Sequence, residues 1–409
     1  MLAILTTHPI QYQVPLWQML ASETSVPFEV WYMSEHATRA SRDQEFGTTF
    51  AWDLDMLKGY PHRFLRMHAG ATPNTFLRMR IAESLPQLLK SREVKALWVQ
   101  GWQVAAYWQA VWAAHNARVE VWLRGESNNL APTPLWKQIP KRILLGQLFR
   151  RVDKFLCIGT ANRELYRSYG VPASKLYMTP YAVDNERFAF QAKKLEAGRW
   201  KIREEWGISE DAFCVLFCGK FIAKKRPLDL IKAAQLLLES HPELKTHLLF
   251  AGSGELGAQM RSACNVVFDC EATSSQLPAS SSQPPAPNFQ LRSSNSRKPA
   301  ASFTGFLNQT EISKAYVAAD VLVLPSDYGE TWGLVVNEAM ASGVACVISD
   351  RCGCAQDLGN RGHNEIFVFG KISDLAEKIK KPEGKPSSRD YASSLEQTVT
   401  IANSLYESF

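Results

Sequence analysis

The sequence predicts two α/β units, each a parallel sheet flanked by helices, and three observations carry the expectation. Short apolar runs alternate with longer helix-like segments from the first residues onward, the pattern of strand–helix–strand units. The pattern starts afresh after residue 211. At 409 residues the chain also exceeds the roughly 250–300 at which a single hydrophobic core stops growing. Two doubly wound domains facing across a cleft are the expected architecture, and a hydrophobic content of 46% against 21% charged supplies apolar side chains for two cores.

In chain order the strands of the first unit read "LAILTT", "FEVWYM", "ALWVQ", "VEVWLR" and "KFLCIG", and those of the second "CVLFCGK", "THLLFAGSG", "NVVFD", "VLVLPS" and "ACVIS". Runs of this length and apolarity suit strands covered on both faces. The first domain is expected over 1–185 and the second over 186–390. A closing helix is expected over 391–409, where Leu395, Val399, Ile401, Ala402 and Leu405 fall at helical spacing. Residues 271–302 are rich in Ser, Pro, Gln and Ala and read as a disordered insertion in the second domain, a surface loop whose length costs the fold little.

"MLAILTTHPI" has no basic segment before its short apolar run, so it reads as a first strand and not as a signal peptide. Residues 96–117 carry no formal charge, yet Gln100, Gly101, Gln103, Gln109, His115 and Asn116 interrupt them. A buried strand followed by a helix bearing Trp108 and Trp112 fits better than a membrane span. The eight cysteines follow no disulfide-framework spacing, which favours reduced thiols and a cytoplasmic protein. Cys214/Cys218 and Cys352/Cys354 lack partner His or Cys pairs, so no metal site is expected from them.

Charge is uneven. Residues 1–180 hold 21 Lys/Arg against 13 Asp/Glu, and residues 181–409 hold 25 against 27. A basic first half suits an anionic partner, a phospholipid surface or a lipid-linked phosphate. No run of cations interleaved with aromatics points to nucleic acid. Lys137, Lys141, Arg142, Arg150, Arg151 and Lys154 stand among Leu, Ile, Trp and Phe, the composition of a helix lying on an anionic membrane or of a basic surface helix. Peripheral contact with the inner face of the cell membrane is the expectation this supports.

The chemistry concentrates in the second unit. Ligands of open parallel sheets gather at the carboxyl ends of strands, where helix N-termini offer N–H groups to anions. "LFCGKFIAKKRPLDLIKAA" places Gly219, Lys220 and Lys225 between a strand and a helix, a plausible diphosphate clamp. "LLFAGSGEL" adds Gly252 and Gly254, which let backbone approach a ligand or merely close a tight turn. "PSDYGETWGLVVNEAMASGV" puts Glu330 before a helix opening near Gly333 and Glu338 in its second turn, with the amides of Gly333, Leu334 and Val335 at the mouth. Carboxylates beside an anion site are useful as acceptors for neutral hydroxyls on either side of it, the layout of a nucleotide sugar. The competing reading makes Glu330 a helix N-terminal acid and Glu338 an exposed helix residue. Asp53-Leu54-Asp55 has the form of a metal-binding D-x-D, but lies outside any nucleotide-binding unit.

"GETWGLVVNEAMASGVACVISD" resembles the E-x(7)-E signature of the family-4 retaining glycosyltransferases of GT-B fold. "GKFIAKKRPLDLIKA", "FAGSGE", "GFLNQTEISKAYVAADVLVLPS" and "PYAVDNERF" occur in matching order, and "TTHPIQYQVP" is similar to the variant N-terminus of bacterial members from surface-polysaccharide clusters. The resemblance covers about residues 1–20 and 95–370. It implies a metal-independent, cofactor-free hexosyltransferase moving a sugar from a UDP- or GDP-sugar to a glycan or lipid-linked acceptor. Glu330 would hold donor-sugar hydroxyls and Glu338 the ribose. Thr331, Trp332, Gly333, Leu334 and Val335 would present backbone amides, Lys220 and Lys225 would clamp the diphosphate, and Gly305, Phe306 and Leu307 would border the base. His8, Gln11 and Glu126 would lie near donor and acceptor. Arg124 stands where the family commonly has a His beside the reacting sugar. A nucleotide-sugar epimerase or phosphorylase, or a degenerate nucleotide-sugar-binding protein, are the alternatives these residues leave open.

Overall fold

A computed structural model describes residues 1–36, 38, 41–42, 49–71, 75–271, 298–380 and 394–408. The chain divides into two compact units. One comprises residues 1–41, 50–184 and 393–409, the other 42–49 and 185–392.

The first unit is a seven-stranded parallel sheet of β1 (Leu2–Thr6), β2 (Phe28–Tyr32), β3 (His62–Phe64), β4 (Ala96–Val99), β5 (Glu120–Leu123), β6 (Lys154–Cys157) and β7 (Leu176–Met178), in the order β3-β2-β1-β4-β5-β6-β7. Side chains from alternate positions of one strand enter two different cores, because successive residues face opposite sides of a sheet. Leu5 and Val99 pack with Leu145, Leu148 and Phe149 on one face. Leu2, Ile4, Trp98 and Trp122 pack with Trp17 and with Val399, Ala402 and Leu405 on the other. The helix Ser394–Glu407 therefore completes the first unit. The uncharged stretch 96–117 forms β4 and the helix Ala105–Asn116, in which Trp108 and Trp112 stack at 5.6 Å. Among the described residues no helix is long and apolar enough to cross a membrane.

The second unit is also a seven-stranded parallel sheet, built from β8 (Phe213–Cys218), β9 (Thr246–Ala251), β10 (Asn265–Asp269), β11 (Ala300–Gly305), β12 (Val321–Leu324), β13 (Ala345–Ser349) and β14 (Glu365–Phe367). Its order is β10-β11-β9-β8-β12-β13-β14. Residues 298–302, expected within the insertion, correct that boundary: Ala300 begins a strand that pairs with both β9 and β10. Small residues there read as loop by composition, whereas Ala301 and Ser302 are small because they are fully buried between two strands. Residues 272–297 of the insertion lie outside the described residues.

In each sheet the winding reverses once. After β1 the first sheet grows through β2 and β3 and then resumes on the other side of β1 at β4. After β8 the second sheet grows through β9 to β11 and resumes on the other side of β8 at β12. Loops on either side of such a reversal part company and leave room for a ligand at the carboxyl ends of the strands. Thr7 and His8 follow β1, and Gly219 and Glu330 follow β8 and β12.

Candidate functional site

In the second unit two loops meet at the reversal. β8 runs into Gly219 and Lys220, and a single 3-10 turn, Ala223–Lys225, leads into the helix Pro227–Ser240. Arg226 links turn and helix in a left-handed conformation (φ 54°) and is held there by Asp229, which accepts from its Nε at 2.8 Å. β12 runs into residues 325–333 and the helix Leu334–Ala341. Asp327 N donates to Lys224 O at 2.9 Å, and the Lys225 ammonium pairs with the Glu330 carboxylate. Ser326 Oγ donates to the same carboxylate oxygen at 3.4 Å. Burial pushes the Lys225 ammonium down, but the charge and hydrogen bond of Glu330 outweigh it and hold it above the usual lysine value. A permanent cation thus stands at the carboxyl end of the sheet.

Behind it, the turn that follows β13 fixes the backbone of the Glu330 loop. Gly353 N donates to Glu330 O at 3.0 Å and Cys354 N to Trp332 O at 3.1 Å. The indole of Trp332 is buried and donates to Asn337 Oδ1 at 2.8 Å, closing the loop onto the helix it precedes. Gly333 caps that helix with φ 109°, where a side chain would be strained, and a Cβ would also lie 2.6 Å from Leu324 Cδ2. Gly333 thereby opens the helix, and the first helical amides, of Leu334 and Val335, are among those that no intrahelical carbonyl can satisfy. Glu338, just over one turn in, is only 2% exposed, which excludes its reading as a solvated helix residue. Tyr316 Oη donates to its Oε2 at 2.5 Å.

Gly252 follows β9 and approaches Gly219 so closely that a Cβ on it would lie 2.0 Å from Gly219 O. Gly252 N donates to Gly305 O at 2.8 Å, so the ends of β8, β9 and β11 are drawn together through glycine backbone. Gly254 also has a positive φ of 149°. Phe306 and Leu307 continue directly from Gly305 and are half-buried.

In the first unit, His8 is half-buried after β1. Its Nδ1 lies 2.9 Å from Thr7 Oγ and its ring 5.2 Å from that of His36. Burial, and then His36, pull its pKa down to about 4, so it is neutral at pH 7. Gln11 lies in the turn before the helix Val14–Glu23. Arg124 directly follows β5 and is 4% exposed. Its Nη2 donates to Thr179 O at 3.3 Å, its guanidinium sits 5.0 Å from the Tyr181 ring, and its Nε has no hydrogen-bond partner. Tyr181 Oη donates to the carboxylate of the exposed Glu126. Arg124 is thus a buried cation under Tyr181, not an open one.

Sequence reading missed Tyr316, Ser326 and Tyr181. Ser326 follows a strand's carboxyl end, a signal that could have flagged it; Tyr316 lies in an apolar helix with no local mark of its role. Asp55 of the D-x-D accepts from Leu57 N at 3.2 Å, and among the described residues no group of three or more His, Cys, Asp or Glu is placed to hold a metal ion.

Residues 290–395 match the family model described as glycosyl transferases group 1. An uncharacterized glycosyltransferase of Methanocaldococcus jannaschii is 29% identical over 172 residues, 42% of this chain and 36% of that protein. A D-inositol 3-phosphate glycosyltransferase of Thermomonospora curvata is 25% identical over 229 residues, 56% of this chain and 48% of that one. The aligned stretches thus span less than half the length of these relatives. Among solved structures, Anabaena HepE in complex with UDP superposes with a TM-score of 0.63 at 15% identity, covering 100% of this chain and 98% of that one. An α,α-trehalose 6-phosphate synthase from Burkholderia multivorans does so at 0.62 and 13%, covering 100% and 94%. With two parallel doubly wound sheets and these structural neighbours, the chain has the GT-B fold, and its second unit is similar in sequence to glycosyl transferases group 1.

Proposed function

We propose that the protein is a retaining, metal-independent glycosyltransferase that moves a hexose from a nucleotide-diphosphate donor to a hydroxyl of a glycan or lipid-linked acceptor in cell-surface polysaccharide biosynthesis. The observation that carries the reading is the Lys225–Glu330 pair beside the mouth of the Leu334–Ala341 helix, with Glu338 buried on that helix. Lys220, Lys225 and the amides of Thr331 to Val335 form a positive field for the diphosphate, and that field grows in value as the leaving group gains charge. These groups need no metal to supply it. Glu330 accepts from sugar hydroxyls and Glu338 from the ribose, each already positioned by a donor of its own, Lys225 and Tyr316. Gly219, Gly252, Gly254 and Gly305 give the nucleotide access to bare backbone, with Phe306 and Leu307 at the base.

The HepE structures contain UDP and, in one case, UDP-glucose, which supports a UDP-sugar as the first donor to try and a GDP-sugar as the second. The departing phosphate takes the acceptor proton, so no side-chain base is required at position 124. Arg124 acts there as a positioning residue for Tyr181 and Glu126, which with His8 and Gln11 would meet the acceptor.

The test is a thermal-shift and transfer assay with UDP- and GDP-sugars. Stabilisation of the wild type is expected, with transfer lowered at least a hundredfold in Lys225→Met and Glu330→Gln. Absence of any stabilisation by either class would sink the donor assignment. A product of inverted anomeric configuration would sink retention.

A further inference from the structure

The helix Leu135–Phe149 of the first unit is only half a core helix. Its C-terminal part buries Leu145, Leu148 and Phe149 against the sheet. From Trp136 to Leu144 every residue is exposed. The exposed part is not polar: Trp136, Ile139, Ile143 and Leu144 stand 70, 62, 61 and 59% exposed. At 100° per residue Trp136, Ile139, Pro140, Ile143 and Leu144 fall within one arc of about 140°. Lys137 and Lys141 flank that arc on one side and Arg142 on the other. No Asp or Glu occurs between residues 127 and 152, a stretch that carries five cations.

A cavity of about 540 Å³ opens beside the same helix. Arg142, Arg150 and Lys175 line it with Ile143, Phe155 and Val171. Arg142 also lies 5.8 Å from the Tyr169 ring, and Lys175 Nζ donates to Val152 O at 2.8 Å. Cations around an apolar floor, next to an exposed apolar stripe, suit one kind of occupant. The stripe would enter the acyl region, the flanking lysines would meet anionic head groups, and the cavity would take a head-group phosphate. A protein partner of ordinary surface composition would leave three cations in the cavity and two beside the stripe without counter-charges.

We propose that the helix Leu135–Phe149 and its cavity form a docking surface for an anionic phospholipid membrane. This goes beyond sugar transfer and stands or falls separately from it. The full chain is tested by co-sedimentation with phosphatidylcholine vesicles, with and without about one third phosphatidylglycerol. Sedimentation is expected only with the anionic lipid, and to decline with added salt. Lys141→Gln with Arg142→Gln should weaken it about fivefold per cation removed, Arg150→Gln with Lys175→Gln about tenfold or more, and Ile139→Asp with Ile143→Asp should abolish it. Hydrogen-exchange protection of Leu2–Thr6 and Phe28–Tyr32 should be unchanged in all three, which shows that the first unit is folded. As a second readout, brominated phosphatidylglycerol should quench tryptophan emission in the wild type and much less in Trp136→Phe. Equal sedimentation on both vesicle types, or no effect of the Ile139/Ile143 pair, would overturn the proposal. Unchanged binding in the Arg150/Lys175 pair would overturn the head-group assignment. A soluble dimer that dissociates on the Ile139/Ile143 substitution and never binds vesicles would make the surface an interface between copies instead.

Discussion

His247 sits on β9 with 4% exposure, in hydrogen-bonding distance of Ser302 on β11, Nε2 to Oγ 2.8 Å. Ser302 Oγ in turn donates to Trp206 O at 2.6 Å, so its lone pairs are free and Nε2 must carry the hydrogen. Burial, and then the Arg203 charge, pull the imidazole pKa from 6.5 to about 4. Below pH 6.5 the unfolded chain binds a proton that the folded one refuses until about pH 4. The contribution of His247 to stability is therefore complete above about 6.5 and lost as pH falls toward 4, at up to about 1.4 kcal/mol per pH unit and on the order of 3 kcal/mol in all. Gln at this position can still donate to Ser302 and has nothing to titrate. Urea unfolding of the wild type and His247→Gln at several pH values should show the wild type losing stability faster across that window. Parallel pH profiles would refute the assignment. His8 shares the direction and the value but, being more exposed, should contribute less.

Most of the chain legible in the sequence is uniformly buried. Each quoted apolar run forms a strand to within a few residues, and all but β10 lie inside their sheets, where a parallel strand is covered on both faces and is apolar throughout; β10 is an edge strand whose Val266 and Val267 are exposed. β3, β7 and β14 are three residues each at sheet edges, too short for a pattern, and β11 was hidden by small buried residues. The candidate site divides in the same way. Gly333, Glu330 and Glu338 were readable because helix polarity gives them positions relative to one another, whereas Tyr316 reaches Glu338 from another helix, a pairing that no local spacing encodes. The boundary of the insertion has its own consequence. Arg261 pairs with Asp269 and, at 3.1 Å, with Glu271, while Lys298 Nζ donates to Ser262 O at 2.8 Å, so both flanks of residues 272–297 are tied to the helix Gly257–Ala263. Ends that close need only a short connection. Replacing 272–297 by about six Gly/Ser residues should leave folding intact and raise stability by about 1 kcal/mol through the smaller loop-closure entropy. A loss of melting temperature, or of nucleotide-sugar stabilisation, would show that the segment contributes structure or chemistry.

The two units differ in how the chain closes them. The second is built from one main run of sequence, 185–392, whereas the first takes its last helix from beyond the second. On that helix Val399, Ala402 and Leu405 are buried against a core that includes Val14, Leu16, Trp17 and Trp98. Lys154 Nζ, which also pairs with Glu120 at 2.6 Å, reaches Leu405 O at 3.5 Å. Burial of a Val and a Leu is worth roughly 1.5–3 kcal/mol each, and their removal would also uncover the apolar residues beneath. A chain ending before Ser394 should therefore lose about 3–6 kcal/mol, all of it from the first unit. Hydrogen exchange separates the units: amides of Leu2–Thr6 and Phe28–Tyr32 should lose protection in the truncated chain, while those of Phe213–Cys218 and Val321–Leu324 keep it. If the donor residues of the second unit act as proposed, UDP-sugar should still protect the truncated chain around residues 219–226 and 327–338. Unchanged exchange in the first unit would show that its core closes without the helix. Lost protection in the second unit as well would show that the two units fold as one cooperative body.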